Sequence, residues 1–309
     1  MKNYTSFLEF YIVPFSSNVE DDMLLSSLFV LTYVTGVLIN SAIIIVIYKN
    51  DRLHSPMYLF LCNLSVVDMC YTTVIIPKLL YILISGNNAV SFTQCFLQMY
   101  FFFWIGSTED LLLFTMAYDR YVAICDPLHY HFILSMKICF LLIAFIWVSG
   151  CLNSVLISIS VSKMSFCHST INHFFCDSKA LTKISCGGTE LFYNVMYVEL
   201  VVFGLVPFVC TLASYLKIIR VILAIKSSDG RTKTFSTCSS HLIVLFIYYV
   251  TIAAVVMMSP SKYSDLLEQF FTLLYSIVAP MVNPLIYSLR NKDIKKGLLS
   301  LVGVTKTVQ

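Results

Sequence analysis

The residues that could do chemistry in this chain are acids placed where acids are expensive. Asp68, Glu109 and Glu199 stand inside long apolar runs, and an ionisable group in such a run marks a functional site by default. Asp68 lies twelve residues past Pro56, and Glu109 fourteen past Cys95. At the α-helical rise these are about 18 and about 21 Å along two antiparallel helices, so the two carboxyls reach similar depth. They cannot both stay bare in a low dielectric: either one is protonated or a cation sits between them. Asn283, seven residues before Arg290, could add a neutral oxygen to the same cavity. Asp110 points some 100° away from Glu109, and its partner is not legible. Glu199 lies eight residues before Pro207 among Val198, Leu200, Val201 and Val202. A buried unpaired carboxylate costs several kcal/mol, so Glu199 needs a partner: Asn153 or Ser154 across the fourth span, the outer interface, or a cationic or hydrogen-bond-donating ligand.

Two further constellations have no catalytic reading. Asp119-Arg120-Tyr121 closes the third apolar run and reads as an interfacial ion pair. Pro280, Asn283, Pro284 and Tyr287 form P-x-x-N-P-x-x-Y, where Pro284 removes a helix hydrogen bond and predicts a kink or loosening. Of eleven cysteines, Cys95, Cys167, Cys176 and Cys186 fall on one side of the chain's apolar runs. In an oxidising compartment four cysteines imply two bridges with three pairings; a zinc site with His168 and His173 is the weaker rival. The six histidines lie in loops or near run ends, so no zinc or nucleophile constellation for an intramembrane hydrolase is present, and no enzyme is expected.

The elements that must position these groups follow from composition. Hydrophobic residues make up 58% of 309, charged residues 12%, against about 25% charged in soluble domains; mean hydropathy is +0.83. Seven apolar runs are long enough to span a bilayer, roughly 23–48, 56–83, 92–124, 138–160, 191–225, 236–258 and 270–289, each near or above the roughly 20 residues required. They are not alternating, which predicts helices rather than barrel strands. Lys and Arg divide 14 against 6 between the two sets of loops, which places the N-terminus outside and the C-terminus inside. A net charge of +3 is no nucleic-acid footprint. Residues 1–22 carry four acids and no signal-peptide core. The resulting division is an extracellular N-terminus at 1–22, a seven-span bundle at 23–289, and a cytoplasmic helix and tail at 290–309. Asn3 heads an N-x-T glycosylation triplet on the outer side.

The stretches "LHSPMYLFLCNLSVVDMCY" (53–71), "MAYDRYVAICDPLHY" (116–130), "SY" (214–215), "KTFSTCSSHL" (233–242) and "PMVNPLIYSLRNKDIKKGL" (280–298) occur in order and spacing. In them the chain resembles the odorant receptors among the rhodopsin-like G-protein-coupled receptors, over nearly its whole length. The resemblance implies an all-α seven-transmembrane bundle with a short amphipathic cytoplasmic helix after the seventh span. It implies pairing of Cys95 with Cys176 and Cys167 with Cys186, and a sodium pocket at Asp68, Glu109 and Asn283. Coupling and activation would fall to Asp119, Arg120, Tyr121, Tyr215, Asn283, Pro284 and Tyr287. Helical phase together with the resemblance gives a ligand pocket. Its candidates are Phe103, Gly106 and Ser107 in the third span, Asn153 in the fourth, and Glu199 and Phe203 in the fifth. Tyr249, Ile252 and Val256 in the sixth and Thr272 and Ser276 in the seventh complete it, with Tyr249 at the floor. This lining is mostly apolar, which suits a small hydrophobic odorant. The implied partners are that odorant, membrane lipid and a heterotrimeric stimulatory olfactory-type G protein that raises cyclic AMP; trafficking chaperones could assist delivery. The implied location is the plasma membrane, in sensory cilia. Two departures stand out: Phe103 occupies a position where the family usually has His, and "YYV" (248–250) replaces "FYG", which puts Val250 beside Tyr249 and predicts a stiffer sixth helix.

Rival readings are weaker. An opsin or light-driven pump needs a Lys deep in the seventh span, and 270–289 contains none. An ion-coupled transporter would show internal repeats and facing broken helices. A receptor of the same fold for a non-odorant ligand in other tissue remains the alternative.

Overall fold

The computed structural model describes residues 9–15, 19–224, 227, 242–255, 264–290 and 292–301. Asn3, Val256 and most of the 233–242 motif lie outside the described residues, as does the side chain of Tyr287.

Helices account for nearly all of the described chain. α1 (Val19–Lys49), α2 (Pro56–Ser85), α3 (Phe92–Cys125), the short inner-loop α4 (Tyr130–Ile133) and α5 (Met136–Ser162) come first. The short lid helix α6 (Ser178–Lys183) follows. The fifth span is α7 (Glu190–Glu199), a π turn (Leu200–Leu205) and α8 (Val206–Ala224). The sixth is α9 (Leu242–Val255). The seventh is α10 (Ser264–Leu273), a π turn (Leu274–Val278) and α11 (Ala279–Arg290), and α12 (Lys292–Leu301) follows it.

Local sequence sets the ends. Pro56 occupies the first turn of α2, where its missing N–H costs nothing. Gly86, at φ 68°, terminates α2 in the left-handed region. Ser91 and Gln94 cap α3 reciprocally, each side chain meeting the other's backbone. The two π turns have a common cause. A proline ring strikes the carbonyl four residues back, and that carbonyl belongs to Phe203 for Pro207 and to Ser276 for Pro280. Both residues lie inside the π turns, where one slipped hydrogen bond makes room for the ring. The loosening expected at Pro284 is therefore found upstream, at 274–278, and α11 runs through Pro284 as a helix.

Among the described residues, five helices are long and apolar enough to cross a membrane: 22–49, 56–85, 136–162, 190–224 and 266–284. α3 is not one of the five although it packs against α2, α5 and α8 at the centre of the bundle. It carries Glu109, Asp110, Asp119 and Arg120, and a helix surrounded by protein need not be apolar. The seventh span begins at Ser264 rather than Phe270, because Glu268 and Gln269, polar enough to read as loop, are buried.

Two small sheets, absent from the all-α expectation, cover the outer end. β1 (Glu9–Ile12) pairs antiparallel with β2 (Ala89–Ser91) and parallel with β4 (Thr170–Ile171). β3 (Ser165–Phe166) pairs with β5 (Ser185–Gly187). Phe10 and Ile12, alternating with exposed Glu9 and Tyr11, are fully buried with Val90, Met99, Ile157 and Leu181 in a core of their own. A second and larger core runs down the bundle through Leu64, Val67, Leu112 and Leu113. Large apolar side chains such as Leu141, Phe145, Leu152 and Phe246 point outward, as the lipid-facing side of a bundle requires. Small residues permit the tightest approaches. Gly150 of α5 lies against Thr108 and the Trp104 carbonyl of α3, and Gly297 of α12 lies against Val46 of α1.

Candidate ligand chamber and coupling site

The outer lid is the first component. Cys95 at the top of α3 is bonded to Cys176, with Cα atoms 5.3 Å apart, and Cys167 is bonded to Cys186 at 5.7 Å. The Cys176 N–H also donates to Gln98 Oε1 at 3.1 Å. These ties draw His173, Phe174 and Phe175 into the bundle, where all three are buried. Phe175 meets Phe102 of α3 at 4.5 Å between ring centroids, and Phe102 in turn meets Tyr71 and Tyr275. Asp177 starts α6 by accepting from the Ala180 N–H at 2.9 Å. Burial pushes its carboxyl up from the usual aspartate value, opposed by the Ala180 and Lys179 backbone amides.

Beneath this ring of aromatics, each described ligand candidate is buried or half-buried. Several of their polar groups are already engaged. Asn153 donates to Ser107 Oγ at 2.8 Å, which ties α5 to α3. Ser107 and Ser276 donate to the carbonyls of Phe103 and Thr272. Ser154 donates to the Tyr100 carbonyl. Among the described residues, neither Asn153 nor Ser154 is hydrogen-bonded to Glu199. Glu199 is half-buried at the last residue of α7 and lies within electrostatic reach of Asp110 and Tyr275. Gly106 sits under the Tyr71 hydroxyl, 3.2 Å from where a β-carbon would stand. Tyr249 packs edge-on against Phe208 of α8 at 4.9 Å, while its neighbour Tyr248 donates to Asp110 Oδ1. That bond supplies the Asp110 partner that spacing could not reveal. Val250 is exposed on the lipid side, so its bulk does not enter the chamber.

The mid-membrane acids are brought together. Asp68, Glu109 and Asn283 are all buried. Asn283 Nδ2 donates to Asp68 Oδ1 at 3.3 Å, and Asp68 and Glu109 lie close enough to repel when both are charged. Glu109 Oε1 has no hydrogen-bond partner among the described residues.

At the inner end, Arg120 Nε donates to Asp119 Oδ2 at 2.9 Å, and Tyr130 of α4 donates to Asp119 Oδ1 at 2.7 Å. Burial, then the Asp119 charge, push the Tyr130 phenol up, so it remains a donor at neutral pH. Lys217 of α8 stands over the Tyr121 ring at 5.5 Å. Tyr215 is buried in α8 and Pro284 in α11. Tyr130 and the aromatic ring of Tyr71, Phe102, Phe175 and Tyr275 were not among the site residues expected from sequence. The signal for Phe175 was available: it adjoins Cys176, so any bond from that cysteine to α3 pulls it inward.

A lidded seven-helix bundle with buried mid-membrane acids and an Asp–Arg pair at its inner end is the architecture of a rhodopsin-like class A receptor. The fold matches squid rhodopsin with a TM-score of 0.76 at 15% identity, over 97% of this chain and 92% of that one. A family model described as "Olfactory receptor" matches residues 29–303. Human olfactory receptor 1L4 is 42% identical over 302 residues, 97% of each chain. Human olfactory receptor 1M1 is 42% identical over 98% of this chain and 97% of its own, and mouse olfactory receptor 1M1 is 41% identical over the same shares. The chain belongs to the olfactory receptor family. It is a multi-pass membrane protein of a family of receptors, not enzymes.

Proposed function

We propose that this chain is an odorant receptor of the plasma membrane, in sensory cilia, that binds a small hydrophobic molecule beneath the lid and activates a stimulatory heterotrimeric G protein. The observation that carries this reading is the coexistence of two sites at opposite ends of α3. One is the buried aromatic cluster under the lid, where Phe175 meets Phe102; the other is the Asp119–Arg120 pair held by Tyr130. Signalling is then a population shift between two bundle arrangements. A ligand drives it only through a difference in affinity for the two, and about 10⁴-fold is needed to move 1:99 to 99:1. Arg120, Tyr215 and Tyr287 are the residues proposed to rearrange, and the π turns beside the chamber are the backbone proposed to absorb the change.

The chamber favours apolar contacts with few free polar anchors. Glu199 is the anchor proposed for ligands that donate a hydrogen bond or carry positive charge. Asp68, Glu109 and Asn283 are proposed to hold a sodium ion. The fit rests on the oxygen donors they gather and on the unpartnered Glu109 Oε1; a bound cation would neutralise the mutual repulsion of the two acids.

A cyclic AMP reporter screened against a panel of volatile compounds tests the reading. Activation by one or more apolar members is expected, and Glu199→Gln should weaken amine agonists at least tenfold, about 1.4 kcal/mol, while sparing neutral ones. Silence across a broad panel by receptor shown to be at the cell surface would count against an odorant ligand. Equal shifts for amines and neutral compounds would remove Glu199 from the ligand contacts.

A further inference from the structure

We propose that the outer ends of α1 and α2 form a bilayer-facing site for a long-chain amine: an outer-leaflet amphiphile with an ammonium head and one hydrocarbon chain, of the sphingoid-base type. The two helix ends line a groove of about 960 Å³ that shares none of the ligand-chamber candidates. Asp22, Ser26 and Ser27 of α1 and Ser85 and Gly86 of α2 stand at its outer rim. Below them, Val30, Leu31 and Val34 of α1 face Leu83 and Ile84 of α2 across an apolar trough. Val30, Leu31, Val34 and Ile84 are exposed, so the trough opens to the hydrocarbon of the membrane rather than to the bundle interior.

The length of the groove matches one leaflet. Tyr33 and Thr73 are hydrogen-bonded at 3.1 Å, which joins the two helices at the level of the groove's lower end. Tyr33 lies eleven residues past Asp22, and Thr73 eleven before Ile84; at the helical rise each stretch is about 16.5 Å. The hydrocarbon of one leaflet is about 15 Å, half of the bilayer core. Pro77 lies inside α2, and its ring strikes the Thr73 carbonyl, so α2 can change direction immediately above this pin. An extended chain therefore runs from rim to pin within its own leaflet. The volume is at the upper end of the roughly 300–1,000 Å³ of small-ligand sites, which suits one chain and a small head rather than a two-chained phospholipid.

The rim selects the head group. Its three hydroxyls already donate to backbone carbonyls: Ser26 to Asp22 at 2.7 Å, Ser27 to Met23 at 3.0 Å and Ser85 to Tyr81 at 2.6 Å. The Gly86 N–H donates to the Ile82 carbonyl at 2.9 Å. These groups therefore offer an incoming molecule lone pairs and not protons. Among the described residues, the Asp22 carboxylate has no ion pair or hydrogen bond. Lys78, on the outer half of α2, is engaged elsewhere: it donates to the Ala89 carbonyl at 3.1 Å and stands over the Tyr81 ring at 4.9 Å. A phosphate would meet a negative charge and hydroxyls whose protons are committed. A sterol hydroxyl would supply one donor and leave the carboxylate's charge unmatched. An ammonium supplies three donors and a positive charge, and so complements both features of the rim.

The test uses the full-length receptor in phosphatidylcholine nanodiscs at neutral pH, and depends on neither an odorant nor a G protein. The probe is sphingosine carrying a photoactivatable diazirine in its chain, with the labelled peptides mapped after irradiation. Label is expected within residues 22–34 or 83–86. Unlabelled sphingosine should displace it, whereas N-acetylsphingosine, whose amide carries no charge, and cholesterol should not. Asp22→Asn should reduce labelling about fivefold, equivalent to about 1 kcal/mol for a partly exposed ion pair. Val30→Trp, which fills the trough, should reduce it at least as far. Glu190→Gln, at an exposed acid at the outer start of α7, should leave it unchanged. Label confined to other segments, or equal displacement by N-acetylsphingosine or cholesterol, would overturn the proposal on the parent receptor alone. Undiminished labelling of a folded Asp22→Asn receptor would overturn it as well.

Discussion

Adding one methyl group at Gly150 should measurably weaken the receptor, because the α3–α5 interface has no space for it. A β-carbon there would stand 2.6 Å from Thr108 Oγ1 and 2.9 Å from the Trp104 carbonyl oxygen. The hydroxyl cannot rotate away freely, because it donates to that same carbonyl at 2.8 Å. The carbonyl is backbone and cannot move without α3. Restoring an ordinary contact of about 3.4 Å or more requires the helices to part by roughly half an ångström. That separation strains the Trp104 Nε1 bond to the Trp147 carbonyl, at 3.0 Å, and the Asn153–Ser107 bond, at 2.8 Å. Overpacking of this kind costs about 1–3 kcal/mol. For a large domain each kcal/mol moves the thermal midpoint by about 2–4 °C, so Gly150→Ala should lower it by several degrees in lipid nanodiscs at a fixed scan rate. Thr108→Ala in the same chain should restore only part of the loss, since the backbone contact persists. Gly36→Ala is the control: its β-carbon would meet only Met281 Cγ at 3.5 Å, and alanine is the better helix former. A Gly150→Ala receptor as stable as the parent would refute the close-packed account of this interface.

Cys95→Ser or Cys176→Ser should prevent surface delivery, since either frees Phe174 and Phe175 from the bundle; normal live-cell labelling of both variants would remove the lid from the folding requirement. Asp68→Asn should abolish any inhibition of basal signalling by sodium that the parent shows, and equal sodium dependence in the two would favour a protonated Asp68–Glu109 pair. At neutral pH, Asp177→Asn should preserve α6, because asparagine caps as well and carries no charge to bury, whereas Asp177→Ala should cost about 1 kcal/mol. Because burial raises the Asp177 carboxyl, the parent's disadvantage relative to Asp177→Asn should shrink as pH falls toward 4 and grow above it. A difference in thermal midpoint that widened on acidification would contradict that sign.

The spans were legible because lipid enforces long apolar runs whatever the details of packing, and the inner motifs were legible because their spacing is local. What escaped was polar and non-local. Glu268 and Gln269 read as loop because sequence shows their polarity but not the lysines and backbone groups that receive them. Asp110 had no visible partner because Tyr248 is 138 residues away. The Phe10–Ile12 alternation covers four residues, too few to distinguish a strand from a loop. The prolines that displace both π turns were visible, but the expectation settled on Pro284 rather than on the carbonyls four residues before Pro207 and Pro280.

The central claim, that α3 carries a signal from the lidded chamber to a G protein through the Asp119–Arg120 pair, is tested most directly by nucleotide exchange. Parent and Arg120→Ala receptors would be reconstituted in nanodiscs at equal density with a stimulatory heterotrimer and challenged with an apolar agonist from the panel. Agonist-dependent exchange is expected with the parent and none with Arg120→Ala, although both bind the agonist. Full exchange by the Arg120→Ala receptor would contradict it.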